Sequence, residues 1–169
     1  NVAIADFRAS VEALPEAKFY GFSCVTPQIT IAKRLAKNVK GKTIVGGPHP
    51  SLLPQDCIGR FDYVVRGEGE KVLPDILGGK VEEGTVAAPR IHDLDSLPLP
   101  AWDMVAEPFS YELFGGERYQ GYTKGYLSSA IITSRGCPYG CTFCGNVYRT
   151  PVIFRSPSNV TAELFRLRE

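Results

Sequence analysis

Phe19-Tyr20-Gly21-Phe22-Ser23-Cys24-Val25, with Thr26-Pro27 directly behind it, is the stretch from which the fold is read. The run is apolar enough for a strand buried on both faces. Thr26 is placed to cap a helix whose first position, Pro27, lacks an N–H that would go unsatisfied there anyway. Along that helix Ile31, Leu35 and Val39 recur at every fourth residue beside Ala32 and Ala36, and Lys33, Arg34, Lys37 and Lys40 lie largely on the solvated side. Gly41 is the expected stop.

The same alternation extends in both directions. Val2 to Ala5 reads as a short strand upstream. Downstream, Thr43-Ile44-Val45 runs into the turn Gly46-Gly47-Pro48-His49-Pro50. Tyr63-Val64-Val65 leads into Arg66-Gly67-Glu68-Gly69-Glu70 and a short helix through Leu77, whose start is limited by Pro74. Strands separated by helices, with glycines at the C-terminal end of each strand, predict an open parallel α/β sheet. Such sheets bind ligands at the carboxyl ends of their strands.

From Gly78 to about Gly125 the periodicity disappears. Pro89, Pro98, Pro100 and Pro108 punctuate the stretch, and Trp102, Phe109, Tyr111, Phe114, Tyr119, Tyr122 and Tyr126 are interleaved with them. Connectors this long are functional or packed over something, and the aromatics favour packing. Trp102 and its neighbours are therefore assigned to inter-domain contact. Ser129 to Thr133 then reads as a fresh strand. Ser156 caps a last helix with Pro157 at its first position and Val160, Leu164 and Leu167 along it. The predicted organisation is a first α/β domain over 1–79, a connector over 80–127 and the start of a second α/β unit over 128–169. A start at Asn1 and an end inside an apparent helix are read as a segment of a longer protein.

Composition sets the outer bounds. Nineteen Lys and Arg against eighteen Asp and Glu leave a formal charge of +1, so no strong field invites nucleic acid or an anionic membrane. No apolar run approaches the ~20 residues that span a bilayer, and no leader opens the chain, which makes a reducing cytoplasm the default address. Of five cysteines, Cys24 and Cys57 stand alone and three fall within eight positions. An odd count with one tight cluster argues against a secreted disulfide framework and for a metal or redox centre.

That cluster lies in Thr133-Ser134-Arg135-Gly136-Cys137-Pro138-Tyr139-Gly140-Cys141-Thr142-Phe143-Cys144-Gly145. Thiolates spaced C-x3-C-x2-C on one loop can converge on a single centre, with Gly136, Gly140 and Gly145 letting the backbone fold around it. An ordinary iron–sulfur cluster takes four cysteines, so three leave an open iron unless a distant ligand completes the set. Two plainer readings compete. A structural zinc would need its fourth ligand from Cys24, Cys57, His49 or His92, and zinc ribbons usually pair C-x2-C knuckles instead. Three unrelated core cysteines are the other possibility, against which the clustering speaks.

The loop resembles the C-x3-C-x-Φ-C signature of the radical S-adenosylmethionine (SAM) superfamily, with Phe143 as the aromatic Φ. That resemblance implies a [4Fe–4S] cluster on Cys137, Cys141 and Cys144, SAM chelated at the open iron and Phe143 against the adenine. Reductive cleavage of SAM would then yield a deoxyadenosyl radical that abstracts hydrogen from the substrate. The upstream half resembles the cobalamin-binding domain of one large radical SAM subfamily. The matching pieces are Gly21 to Thr26, Val45 to His49 and Asp62 to Glu70. Leu94 to Trp102 and the Arg155-Ser156-Pro157-x-x-Val160 stretch also fit. The implied fold is a Rossmann-like cobalamin-binding domain with a parallel sheet, its first strand missing, followed by the start of a radical SAM partial (β/α) barrel.

Within that likeness, Gly46, Gly47, Gly67 and Gly69 would let a flat corrin approach the backbone, and Ser23 and Thr26 would hydrogen-bond its tail or amides. His49 belongs to the loop beneath the tail, not to the axial position on cobalt. Glu68 is counted with His49 and the glycines among the cofactor-binding residues, and Glu68 and Glu70 are expected to cap or orient the next helix. Cys24 and Cys57 are read as small buried hydrophobes. The reaction implied most often is methyl transfer from methylcobalamin; ring closure or rearrangement is the alternative, with or without functional cobalamin. A non-catalytic zinc or electron-transfer module is the reading of a different class. The implied partners are a small-molecule or natural-product substrate and a flavodoxin- or ferredoxin-type electron donor.

Overall fold

A computed structural model describes residues 14–104, 130–145 and 151–168. The strand read at Val2 to Ala5 lies outside them, as do Ser129 and the aromatic stretch from 105 to 128.

Strands β1 (Phe19–Ser23), β2 (Lys42–Gly46), β3 (Tyr63–Arg66) and β4 (Gly84–Ala87) form one parallel sheet in the order β1-β2-β3-β4. Phe19 lies opposite Lys42 and Ser23 opposite Gly46. Ile44 pairs with Tyr63, and Tyr63 in turn with Gly84. Helices α1 (Ile29–Ala36), α2 (Pro48–Leu52) and α3 (Leu73–Leu77) make the three crossovers.

The alternation of the pleat sorts the core into two faces. Phe22, Val45 and Val64 pack with Ile29, Ala32 and Ala36 of α1 and with Cys57 and Phe61. The Phe22 and Phe61 rings are 5.6 Å apart and tilted by 58°. Ile44, Tyr63 and Val65 pack on the opposite face with Ile76 of α3. Val45, Val64 and Ile76 are at most 1% exposed, and each such side chain stabilises by roughly 1.5–3 kcal/mol on burial. Helix cover on both faces of a parallel sheet is the Rossmann-like α/β arrangement that the strand–glycine–helix pattern implies.

Several elements depart from the sequence reading. Strand β1 is not buried on both faces: Gly21 and Ser23 are exposed, because β1 is the outer strand among those described. A 3₁₀ turn over Thr26–Gln28 precedes α1, and its cap residue is Val25, whose N–H donates to Gln28 Oε1 at 3.0 Å. Thr26 is therefore not the helix cap. Starting at Ile29 also rotates the buried stripe of α1 onto Ile29, Ala32 and Ala36, leaving Ile31 44% exposed. The helix ends at Ala36, ahead of Gly41. Gly41 serves packing instead, since a Cβ there would lie 2.2 Å from Ala17 O and 2.7 Å from Lys18 O.

Strand β4 falls in the stretch read as an aperiodic connector, beyond residue 79. Its Gly-Thr-Val-Ala sequence turns only the half-buried Val86 toward the core, too little for a period-2 signal.

Downstream, β5 (Ser134–Arg135) pairs antiparallel with β6 (Ile153–Phe154), and α4 (Pro157–Arg168) follows. Residues 130–133, read as strand, carry no regular structure. The ribbon is antiparallel, so the parallel barrel start is not seen among the described residues. Ser156 does cap α4: its Oγ accepts the Asn159 N–H at 3.2 Å. The buried side chain of α4 is Glu163, whereas Leu164 is 53% exposed. The described part of the connector is packed. Ile91 and Leu94 form a small core with Ile153, and Trp102 Nε1 donates to Glu163 Oε1 at 3.0 Å.

Candidate cofactor site

The residues singled out in the sequence occupy two surfaces, the C-terminal ends of β1 to β3 and the loop after β5. At the strand ends the glycines divide into two kinds. Gly47 has φ +99° and ψ −170°, a region that only glycine occupies without strain. A Cβ there would stand 3.0 Å from both N and O of Cys24. Gly67, at φ +99°, would put a Cβ 2.6 Å from Ala88 O, against the exit of β4. The fold alone accounts for both. Gly46 differs: its Cβ would meet nothing nearer than 3.9 Å, and that of Gly69 nothing nearer than 3.6 Å. At these two positions a Cβ would make ordinary van der Waals contact, with Val65 at Gly46 and with Leu73 and Val65 at Gly69, so the packing does not itself demand glycine.

The loops after β2 and β3 are tied together. Ser51 Oγ donates to Gly47 O at 2.8 Å and accepts the Gly67 N–H at 3.0 Å. His49 is 3% exposed, with Nδ1 3.1 Å from Thr26 Oγ1 and Nε2 3.0 Å from Asp56 Oδ2. Asp56 Oδ1 also accepts from Lys33 Nζ at 2.6 Å. Hydrogen bonds from Lys33, and then from His49, hold the Asp56 carboxyl below the usual aspartate range. His49 is thus an internal strut that orients the Thr26 hydroxyl. The sequence reading missed Asp56, because nothing in a surface-type residue after Pro54 signals a buried partner. Ser23 and Thr26 remain exposed at the end of β1, where a corrin or its tail can reach them.

Glu68 corrects its expected role. It makes no side-chain cap to the turn that follows. Its carboxylate, 3% exposed, takes Arg90 Nη1 at 2.8 Å and the N–H of Ile91, and lies 3.6 Å from Arg135 Nη1. Glu70 Oε1 accepts from Arg135 Nη2 at 2.5 Å. Both acids therefore reach out of the first domain, toward the connector and the root of the cysteine loop.

That loop lies on the surface. Cys137 and Cys144 are half-buried, Cys141 is exposed, and Phe143 is 91% exposed. Gly136 takes φ +112°, which turns the chain from β5 into the loop. The Cys144 N–H closes a turn on Cys141 O at 3.2 Å, and Gly145 abuts Leu52 of α2. Among the described residues no three His, Cys, Asp or Glu side chains converge as a metal site, so the three thiols are not gathered here. By type they suit a cluster with three thiolate ligands on a loop able to close around it. Cys24 and Cys57 are poor candidates for a fourth ligand. Burial, then Cys57, pushes the Cys24 thiol up to about 11, and burial first also raises that of Cys57. A cavity of about 170 Å³ between connector and second unit is lined by Leu94, Trp102, Ile132, Arg155 and Glu163, among others, and by no predicted cofactor residue.

Residues 1–77 match the family of the B12 binding domain. The chain is 34% identical over 143 residues to uncharacterized methyltransferase PH0819 of Pyrococcus horikoshii, a match covering 69% of this chain and 28% of that protein. Bacteriochlorophyllide d C-8(2)-methyltransferase of Chlorobaculum tepidum is 28% identical over 131 residues, covering 73% and 27%. The anaerobic magnesium-protoporphyrin IX monomethyl ester cyclase of Cereibacter sphaeroides is 26% identical over 177 residues, covering 86% and 27%. The chain thus spans less than a third of the length of these curated relatives. No described helix is long and apolar enough to cross a membrane.

Proposed function

We propose, from the premise that residues 1–77 are a B12-binding domain, that this chain is part of a cobalamin-dependent radical SAM enzyme acting in methyl transfer. The carrying observation is a three-cysteine loop in the same chain as that domain, with the root of the loop joined by Arg135 to Glu68 and Glu70. Relatives named as methyltransferases support the reaction type.

In this reading Cys137, Cys141 and Cys144 would hold a [4Fe–4S] cluster, and Phe143 would cover the adenine of SAM. Ser23 and Thr26 would hydrogen-bond cobalamin, with the missing side chains at Gly46 and Gly69 letting it approach the backbone. When bound, the cluster supplies the electron that cleaves SAM and cobalamin supplies a transferable methyl group. The chain's own residues orient these groups: His49 fixes the Thr26 hydroxyl, and Ser51 fixes the spacing of the loops after β2 and β3. We draw the first domain past its expected end at residue 79, a reading supported by the pairing of β4 with β3. The substrate is assigned to small molecules or natural products, the electron donor to the flavodoxin or ferredoxin type, and the setting to the cytoplasm.

The test is an anaerobic visible spectrum after incubation with cobalamin and desalting, on this chain and on a longer form of the protein. Retained corrin bands support the reading; a colourless longer form removes cobalamin and methyl transfer from it. Ring closure is the second reading, favoured by the relative named as a cyclase. Product analysis separates the two, since deoxyadenosine formed without a methylated product excludes transfer.

A further inference from the structure

We propose that Glu68 is a positioning residue that clamps the root of the cysteine loop to the C-terminal end of β3. The purpose of the clamp rests on the reading above, in which the loop holds a cluster and the strand ends face a corrin. The clamp itself is testable without either cofactor.

Glu68 follows Gly67, whose positive φ and crowding by Ala88 O leave its backbone little choice. The Gly67 N–H is in turn fixed on Ser51 Oγ. The carboxylate thus leaves a rigid point. It meets two guanidinium groups and one N–H while 3% exposed, and a buried carboxylate is tolerated only when paired and hydrogen-bonded in this way. One of the two cations, Arg135, lies in β5, two residues before Cys137. The other, Arg90, donates from Nη2 to the carbonyl of Arg135 at 3.0 Å. Glu68 therefore grips the side chain of Arg135 directly and its main chain through Arg90, while Glu70 takes the far side of the same guanidinium. Helix capping, the ordinary duty of an acid at this position, is not performed. Two contacts on one residue fix both position and orientation of the strand that launches the loop. The distance between the thiols and the strand ends is then set by these contacts.

The experiment is alkylation of the reduced, metal-free chain by iodoacetamide under native conditions, read cysteine by cysteine by mass spectrometry. Cys24 and Cys57, 4% and 0% exposed, report on the folded domain; Cys137 reports on the root of the loop. Two variants, E68Q and R135M, cut the clamp from opposite sides. The two substitutions change the local charge in opposite senses, so an effect of charge alone would move the two rates in opposite directions. Release of the loop accelerates both. Labelling of Cys137 is expected to rise about tenfold in both variants, with Cys24 and Cys57 still protected. Acceleration in R135M with a protected core supports the clamp even if E68Q lowers overall stability. Rates at Cys137 that move oppositely, that stay unchanged, or that rise only together with Cys24 and Cys57 in both variants overturn it. Iron and sulfide content after reconstitution of the unsubstituted protein tests the cluster separately, so failure of that reading leaves the alkylation result standing.

Discussion

Alanine at Gly46 and at Gly47 should have opposite consequences, although the two glycines are neighbours and look alike in sequence. At Gly47 an alanine must adopt φ +99° and ψ −170°, a conformation that costs a non-glycine residue about 1–3 kcal/mol. Its Cβ would also press at 3.0 Å on both N and O of Cys24. Relief means shifting the end of β1 and weakening the Cys24 N–H bond to Gly46 O, 2.9 Å long, which adds about 1 kcal/mol. The sum is a loss of about 2–4 kcal/mol, or about 2 M in the urea midpoint at a slope near 1.5 kcal/mol/M. At Gly46 the nearest neighbour of a Cβ is 3.9 Å away, and reduced freedom of the unfolded chain should stabilise by about 0.4–1 kcal/mol. Urea unfolding by far-UV circular dichroism measures both variants, and corrin retention after desalting is measured on whatever stays folded. Gly46→Ala is expected to stay folded and to lose corrin, because in the proposed site its methyl would keep a corrin from the backbone. Midpoints within about 0.5 M of each other would refute the distinction between a glycine required by the backbone and one required by a ligand.

Other consequences are open to measurement. Asp62 is opposed by its own burial but outweighed by hydrogen bonds from the Thr43 hydroxyl and N–H and from Lys42, and its carboxyl sits below the ordinary value. D62N should cost about 1–2 kcal/mol at pH 7. A lowered folded value means stability that is present above the unfolded aspartate pKa near 3.9 and lost as pH falls through the folded one, so the gap to the unsubstituted chain should be smaller at pH 3 than at pH 7. Urea midpoints at the two pH values decide; an equal gap at both would count against it. Glu163→Ala strands the Arg155 guanidinium, whose side chain is 10% exposed, and the Trp102 N–H, so thermal unfolding should register a loss of about 3 kcal/mol; less than about 1 kcal/mol would show the network to be solvent-relaxed. The variant C137A/C141A/C144A should take up neither iron nor acid-labile sulfide while keeping its urea midpoint, since no Cys of this loop is buried in either face of the sheet. Retained iron in that variant would place the metal elsewhere.

The parallel sheet was legible because its signals are local and redundant. Apolar runs of strand length end in glycine and are followed by helical periodicity, and β1, β2 and β3 lie within a residue or two of where those runs predict them. The cap at Ser156 was legible for the same reason, since Ser-Pro ahead of a helix is specified within one turn. Strand β4 was not, because an outer strand with one half-buried valine carries almost no pattern. The face of α1 was misjudged because a 3₁₀ turn of three residues, invisible in composition, rotates everything after it.

For the candidate site, the sequence by itself supplied the candidate groups: three thiols on one loop and, through the family resemblance, hydroxyls at Ser23 and Thr26 and glycines at the strand ends. For the thiols spacing along the chain suffices, because the three are neighbours in sequence. Only the tertiary structure decided which of those residues serve the fold. Gly47 and Gly67 answer to backbone crowding, His49 to Thr26 and Asp56, and Glu68 to Arg90, Ile91 and Arg135. The physical reason is distance along the chain. Glu68 and Arg135 are 67 positions apart. A buried charge chooses its partner by what the packing brings within reach, a choice that no local pattern of residues encodes.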